Sequence, residues 1–152
     1  MVEHAAVNRR VVGSSPTGGA NFYSEVVLKS IVLLSNDRKR PLLFQFCSAY
    51  RFILMKHNLF ATFGSSQAIK KCGLDVYSFL SGPAGGYRQV ISKLHCGEVD
   101  LLIFLRDHSK FYSSSSQENE LMSACDFCNV PSATNILTAE ILIRALDSGG
   151  FF

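Results

Sequence analysis

Two stretches of this chain, VVLKSIVLLS (residues 26–35) and VDLLIFL (99–105), are apolar almost without interruption. A strand that alternates polar and apolar residues keeps one face in water, whereas an unbroken apolar run needs cover on both faces. Sheets covered on both faces are characteristically parallel, because the crossovers that join parallel strands supply helices to each side. The segments between the two runs fit that demand. Asp37 to Arg40 form a polar turn, and Pro41, whose missing N–H has no partner to lose in a first helical turn, opens a helix over 42–56. Leu43, Phe46, Tyr50 and Ile53 recur on one face of it.

A strand is expected at 58–62, then a polar Gly64-Ser65-Ser66 stretch leading into a short helix that Gly73 ends in the left-handed conformation. The alternation over 74–80 predicts a third strand, followed by a turn over 81–86. A helix over 87–96, stopped by Gly97, leads into the most apolar strand at 99–105. A polar loop over 106–117 precedes a helix near 118–127, a short strand near 130–134, and a last helix capped by Thr138 with Ile141, Leu142 and Ala145 facing inward. About five strands alternating with helices, joined by right-handed crossovers, give an α/β fold: a Rossmann-like three-layer architecture with a mostly parallel sheet over residues 26–149. Residues 1–25 carry no sustained period and end in a Ser/Pro/Gly cluster, so they are expected to be an unstructured leader or a start-site or cloning artefact.

Composition narrows the function classes. A chain of 152 residues, 47% hydrophobic and 18% charged, suffices for one domain with a real core and excludes long disorder. Its 15 Lys and Arg against 12 Asp and Glu leave a net charge of +3 spread along the chain, unlike the clustered footprint of a nucleic-acid binder. Every apolar run falls far short of the roughly 18 residues of a spanning helix, so no membrane partner is expected. The start lacks the apolar core of a secretory signal, and five cysteines in periodic apolar segments suit reduced, buried thiols; both point to the cytoplasm. Cys125-x-x-Cys128 has no second pair or clustered histidines beside it, so two small helix residues are expected there and no metal site.

In open parallel sheets a ligand sits beyond the carboxyl ends of the strands. The segments to read are therefore Asn36-Asp37, 62–66, 81–86, Arg106-Asp107 and Asn135. With their neighbours they read LLSNDRKR (33–40), AYRFIL (49–54), LFATFGSS (59–66), FLSGPAGGYRQV (79–90), VDLLIFLRD (99–107) and VPSATNILTAEILIRALDSG (130–149). In this order they resemble the methylglyoxal synthase family. The resemblance covers nearly all of the periodic region, and its specific part is the combination of SGPxGG, the IFLRD strand end and P-x-ATN-x-x-TAE. It implies a lyase that takes dihydroxyacetone phosphate, removes a proton beside the carbonyl to give an enediolate, and expels phosphate to leave methylglyoxal. It also implies a homo-oligomer, up to a hexamer, with no metal or organic cofactor. The end of the chain at Phe151-Phe152 lacks a segment that in the family contributes subunit contacts, which puts the hexamer in question.

By the same resemblance, Asn36, Arg40, Thr62, Ser65, Ser66, Ser81 and Gly82 are the substrate- and phosphate-binding residues, and Asp37, Asp107 and Tyr87 the catalytic ones. Tyr87 stands where the family has the aspartate credited as base. A phenol with an ordinary pKa near 10 is only about 0.1% ionised at pH 7. Ser114 and Gln117 stand at the family's His-x-x-Asp, with Glu118 one residue out of step; Asn36 replaces a histidine, and Phe63 replaces a glycine and is expected to narrow the site. Loss of a positioned base costs about 10² to 10⁴ in rate, so weakened or lost turnover is expected. The alternative is a non-catalytic phosphate- or effector-binding module of the same fold, as in the regulatory domains of carbamoyl phosphate synthetase; a decayed copy is the third reading.

Overall fold

The computed structural model describes Arg10–Val11 and residues 26–109 and 115–150. The expected leader therefore lies outside the described residues except for β1 (Arg10–Val11), which pairs antiparallel with β2 (Val26–Val27) apart from the main sheet. The main sheet is built from β3 (Ser30–Ser35), β4 (Asn58–Ala61), β5 (Tyr77–Ser78), β6 (Leu101–Leu105) and β7 (Ser132–Ala133). Its order is β5-β4-β3-β6-β7 and every pairing is parallel. Six helices connect and flank the strands: α1 (Arg40–Ala49), α2 (Arg51–Leu54), α3 (Phe63–Lys71), α4 (Tyr87–His95), α5 (Ser116–Phe127) and α6 (Ile136–Ser148).

The two apolar runs become the central pair. Ile31 pairs with Leu101 and the register continues to Ser35 with Leu105, and every residue of both strands is buried. Side chains alternate between two cores. Ile31, Leu33, Leu101 and Ile103 pack with residues of α1, α3 and α6, while Val32, Leu34, Leu102 and Phe104 pack with residues of α4 and α5. Each such side chain contributes about 1.5–3 kcal/mol through burial, which is why the middle of the sheet is the firm base of everything at its rim.

Several boundaries differ from the sequence reading. The first strand is interrupted at Leu28-Lys29, so that only Ser30–Ser35 joins the main sheet. The helix expected over 42–56 breaks at Tyr50, whose backbone leaves helical geometry. Its ring packs 5.0 Å from Phe46 and its hydroxyl accepts from Arg144 Nε and Nη2, tying α1 to α6. The last helix begins at Ile136 rather than Thr138, because Asn135 Oδ1 accepts from Thr138 N at 3.0 Å and is itself the cap. Of the three residues expected to face inward, Leu142 and Ala145 are half-buried and Ile141 is 67% exposed; the buried ones are Ala139, Ile143 and Leu146. Cys47 and Cys125 are buried, but Cys96 is exposed, contrary to the expectation of buried thiols throughout. Burial pushes the Cys125 thiol up to about 12 and raises Cys47 as well. Among the described residues no helix is long and apolar enough to cross a membrane, and no three His, Cys, Asp or Glu side chains converge as a metal site would require.

Candidate functional site

Strand order reverses between β3 and β6, and the carboxyl ends of that pair define the crevice where such sheets bind ligands. Asn36, the first residue after β3, spans it. Its N–H donates to Leu105 O at 3.2 Å, its Oδ1 accepts from Asp107 N at 2.7 Å, and its Nδ2 donates to Glu118 Oε2 at 3.3 Å. The other oxygen of Glu118 lies 3.7 Å from Arg106 Nη2. Asp107 follows β6 and is buried. Its Oδ1 accepts from Ser109 Oγ at 2.6 Å and Ser109 N at 3.1 Å, and these bonds hold its carboxyl below the usual range. Asp107 Oδ2 has no hydrogen-bond partner; the nearest cation is Arg38, whose Nη1 is 3.9 Å away.

One turn over, the chain leaves β4 through Thr62, the N-cap of α3, with no side-chain cap bond. The first amides of a helix lack intrahelical partners and carry the positive end of its dipole. Gly64 lies directly beneath the Arg40 guanidinium, in the place a side chain would occupy. Arg40 Nη2 donates to Asp37 Oδ1 at 2.7 Å, while its Nε is buried without a partner. The hydroxyls of Ser65 and Ser66 bond inward. Ser65 Oγ accepts from Ser35 N at 2.9 Å and lies 3.4 Å from Thr62 Oγ1; Ser66 Oγ donates to Phe63 O at 2.7 Å and lies 3.0 Å from Ser78 Oγ. Buried hydroxyls need such partners, and here they fasten the start of α3 to β3 and β5. Phe63 is 56% exposed, so its ring stands in solvent instead of narrowing the rim.

The loop after β5 makes the third wall. Ser81 O accepts from Ala84 N and Gly86 N, at 3.0 and 2.8 Å, and Gly85 takes φ 119°. A Cβ on Gly86 would meet the Leu80 carbonyl, and one on Gly82 would stand 2.5 Å from Tyr87 Cζ. Tyr87 therefore lies flat against the Gly82 backbone, 7% exposed, with its ring 5.8 Å from Phe104. Burial, with the nearby charges of Glu118 and Asp37, pushes its phenol up to about 12, against a smaller opposing pull from Arg106. It is a neutral hydroxyl at any physiological pH.

All ten residues expected at the site lie on this one rim, in three walls after β3 and β6, after β4, and after β5. Beside Asn36 opens a cavity of about 550 Å³ lined by Lys39, Leu42, Arg106, Asp107, Glu118 and Asn135 among others. Glu118, whose side chain is 15% exposed, and Arg106 were not assigned from sequence. The signal that places Glu118 was present: Ser115-x-x-Glu118 is a capping-box spacing, and Ser115 Oγ accepts from Glu118 N at 3.2 Å at the start of α5.

The geometry defines a Rossmann-like α/β domain with a rim of helix-start amides and polar side chains at the switch point of its sheet. No family model matches the sequence. Relatives do. The chain is 45% identical over 121 residues to a methylglyoxal synthase of Caldicellulosiruptor saccharolyticus, covering 79% of this chain and 86% of that one. It is 40% identical over 122 residues to the methylglyoxal synthase of Bacillus subtilis, covering 80% and 89%. The solved methylglyoxal synthase of Elizabethkingia anophelis superposes with a TM-score of 0.72 at 29% identity, over 76% of this chain and 77% of that one. This chain belongs to the methylglyoxal synthase family.

Proposed function

We propose that this protein binds the phosphate end of dihydroxyacetone phosphate at the rim and converts it to methylglyoxal and phosphate, with proton removal as its slow step. The start of α3, with Thr62, the Gly64 and Ser65 amides and Arg40, receives the phosphate, and the amides of the Ser81-Gly82 turn close the anion site from the other side. Ser65 serves through its amide, whereas the Ser66 amide is taken by Thr62 O at 2.8 Å; the hydroxyls of both hold the cradle in shape. Asn36 and Arg106 face the oxygens of the enediolate, where preformed donors act most strongly. The chemistry uses no metal or organic cofactor and involves neither nucleic acid nor membrane. Its setting is the cytoplasm, supported by five free thiols. Assembly into a homo-oligomer is supported by apolar side chains standing out from the helices, among them Phe52 and Leu137 at 74% and 70% exposure.

The observation that carries this reading is the contrast at one turn: a Gly82 to Gly86 loop of tightly constrained backbone, capped by a phenol that cannot ionise near neutrality. The test is a methylglyoxal assay on dihydroxyacetone phosphate, run beside the Bacillus subtilis relative, together with thermal melts in inorganic phosphate. Saturable stabilisation, about 2.7 kcal/mol at a hundredfold excess over Kd, with turnover about 10² to 10⁴ below the relative, is the expected result. The neutral phenol also favours a second reading, a phosphate- or effector-binding module without turnover. Stabilisation with no product selects that reading, and absence of stabilisation sinks both.

A further inference from the structure

The proposed reaction needs a proton acceptor, and the residue at the family's aspartate position is a phenol. Three carboxylates remain on the rim, and their surroundings separate them. The side chain of Asp37 is 80% exposed and engaged by Arg40 at 2.7 Å. Asp107 has one oxygen saturated by Ser109, which lowers its affinity for a proton. Glu118 is different. It faces the cavity with 15% exposure, and its two oxygens carry only long contacts, 3.3 Å to Asn36 Nδ2 and 3.7 Å to Arg106 Nη2.

Glu118 is also held at the right place. It sits in the first turn of α5, fixed by the Ser115 cap, and it is close enough to Tyr87 to oppose ionisation of the phenol. Through Asn36 it is tied to the end of β3, on the same rim as the position where the family carries its carboxylate. Successive helix residues point about 100° apart, so Gln117 and Glu118 leave α5 in different directions. It is Glu118 that reaches Asn36, while Gln117 Oε1 is buried without a partner.

Resting on the reading above, we propose that Glu118, one residue beyond the family's loop acid at position 117, is the base of this site and takes over from the carboxylate missing at position 87. Its carboxylate takes a proton from the hydroxymethyl carbon of dihydroxyacetone phosphate. The C–H pair becomes the C=C bond of the enediolate, and the carbonyl π pair moves onto oxygen, opposite Arg106 and Asn36. The hydroxyl proton passes to that oxygen, and the alkoxide pair closes to an aldehyde. The double bond shifts toward the methylene carbon, and the C–O bond breaks with its pair on phosphate. The proton on Glu118 then goes to the methylene carbon while phosphate takes the enol proton, leaving methylglyoxal.

The experiment uses the full chain in D2O and follows, by NMR, deuterium entry at the hydroxymethyl carbon alongside product formation. Glu118→Gln is expected to lower both by about 10² to 10⁴, with stabilisation by inorganic phosphate kept. Glu118→Asp is expected to restore part of both, and it decides the matter if the Gln variant does not fold. The charged groups facing Glu118 are unchanged in both: Arg106 and Asp107 after β6, Tyr87 on α4, Asp37 after β3, and Lys39 across the cavity. Wild-type exchange and product formation in Glu118→Gln overturn the assignment. A wild-type chain stabilised by phosphate but showing neither exchange nor product overturns it too while leaving the phosphate site standing. A chain unresponsive to phosphate removes the reading of the rim itself.

Discussion

The rim has two halves built from different materials. The half around α3 and the Ser81 turn is made of backbone: helix amides, a carbonyl that accepts twice, and glycines at positions where a Cβ would collide. The half after β3 and β6 is made of side chains: Asn36, Arg106, Asp107, Glu118 and the intruding Tyr87. Backbone geometry persists as long as the flanking strands and glycines persist, so the first half tolerates exchange of its side chains, as with Phe63. The second half changes chemistry with each substitution, and its groups have re-paired around the amide of Asn36. Anion binding and proton transfer can thus drift apart within one pocket.

The largest effect that would test this division is Gly86→Ala. The added methyl runs into the Leu80 carbonyl, which is backbone and has nowhere to go; a loss of about 3 kcal/mol in urea unfolding is expected, together with the response to phosphate. Retention of both would show that the turn is softer than its contacts imply. Next comes Tyr87→Phe. The phenol is raised to about 12, so the stability from keeping it neutral is full below its ordinary value near 10 and is lost as pH climbs through 12. The Phe variant avoids that alkaline loss, about 2.7 kcal/mol for the two-unit shift, and a phenolate absorbance step near pH 12 disappears. Tyr87→Asp should cost about 2 kcal/mol by exchanging a ring packed on Phe104 for a carboxylate. It should also raise turnover by about tenfold, short of the relatives because Ser114 and Gln117 are unchanged. Unaltered turnover would mean that position 87 no longer faces the substrate. The smallest effect is Ser109→Ala. Asp107 is held low by Ser109, so its contribution is present above the ordinary carboxylate value and fades as pH falls through the depressed one. The Ala variant should begin to lose stability at higher pH, seen as an upward shift in the acid unfolding midpoint.

The centre of the fold was legible because burial on both faces writes itself as unbroken apolarity, and β3 and β6 are the two segments that show it. The edges were harder. β5 and β7 pair through two residues each, too few for alternation to mark their ends. Tyr50 looked helical because its spacing from Phe46 is helical; its hydroxyl is held by Arg144, ninety-four positions away, a contact that local spacing does not encode. Thr138 and Asn135 are both capable caps, and the sequence alone does not choose between them; the exposure of Ile141 is set by how the helix lies on the sheet. At the rim, the resemblance found the segments and left Glu118 one residue out of step; that it reaches Asn36 follows from its place in the first turn of α5, fixed by the Ser115 cap. The inward bonds of Ser65 and Ser66 depend on Ser35 and Ser78, contacts that local pattern does not encode.

The brevity of β5 and β7 has a consequence for how molecules of this protein meet. They are the outermost members of the sheet, and a border two residues long presents very few open N–H and C=O groups to a passing strand. At these two borders, joining sheet to sheet across two molecules is therefore disfavoured.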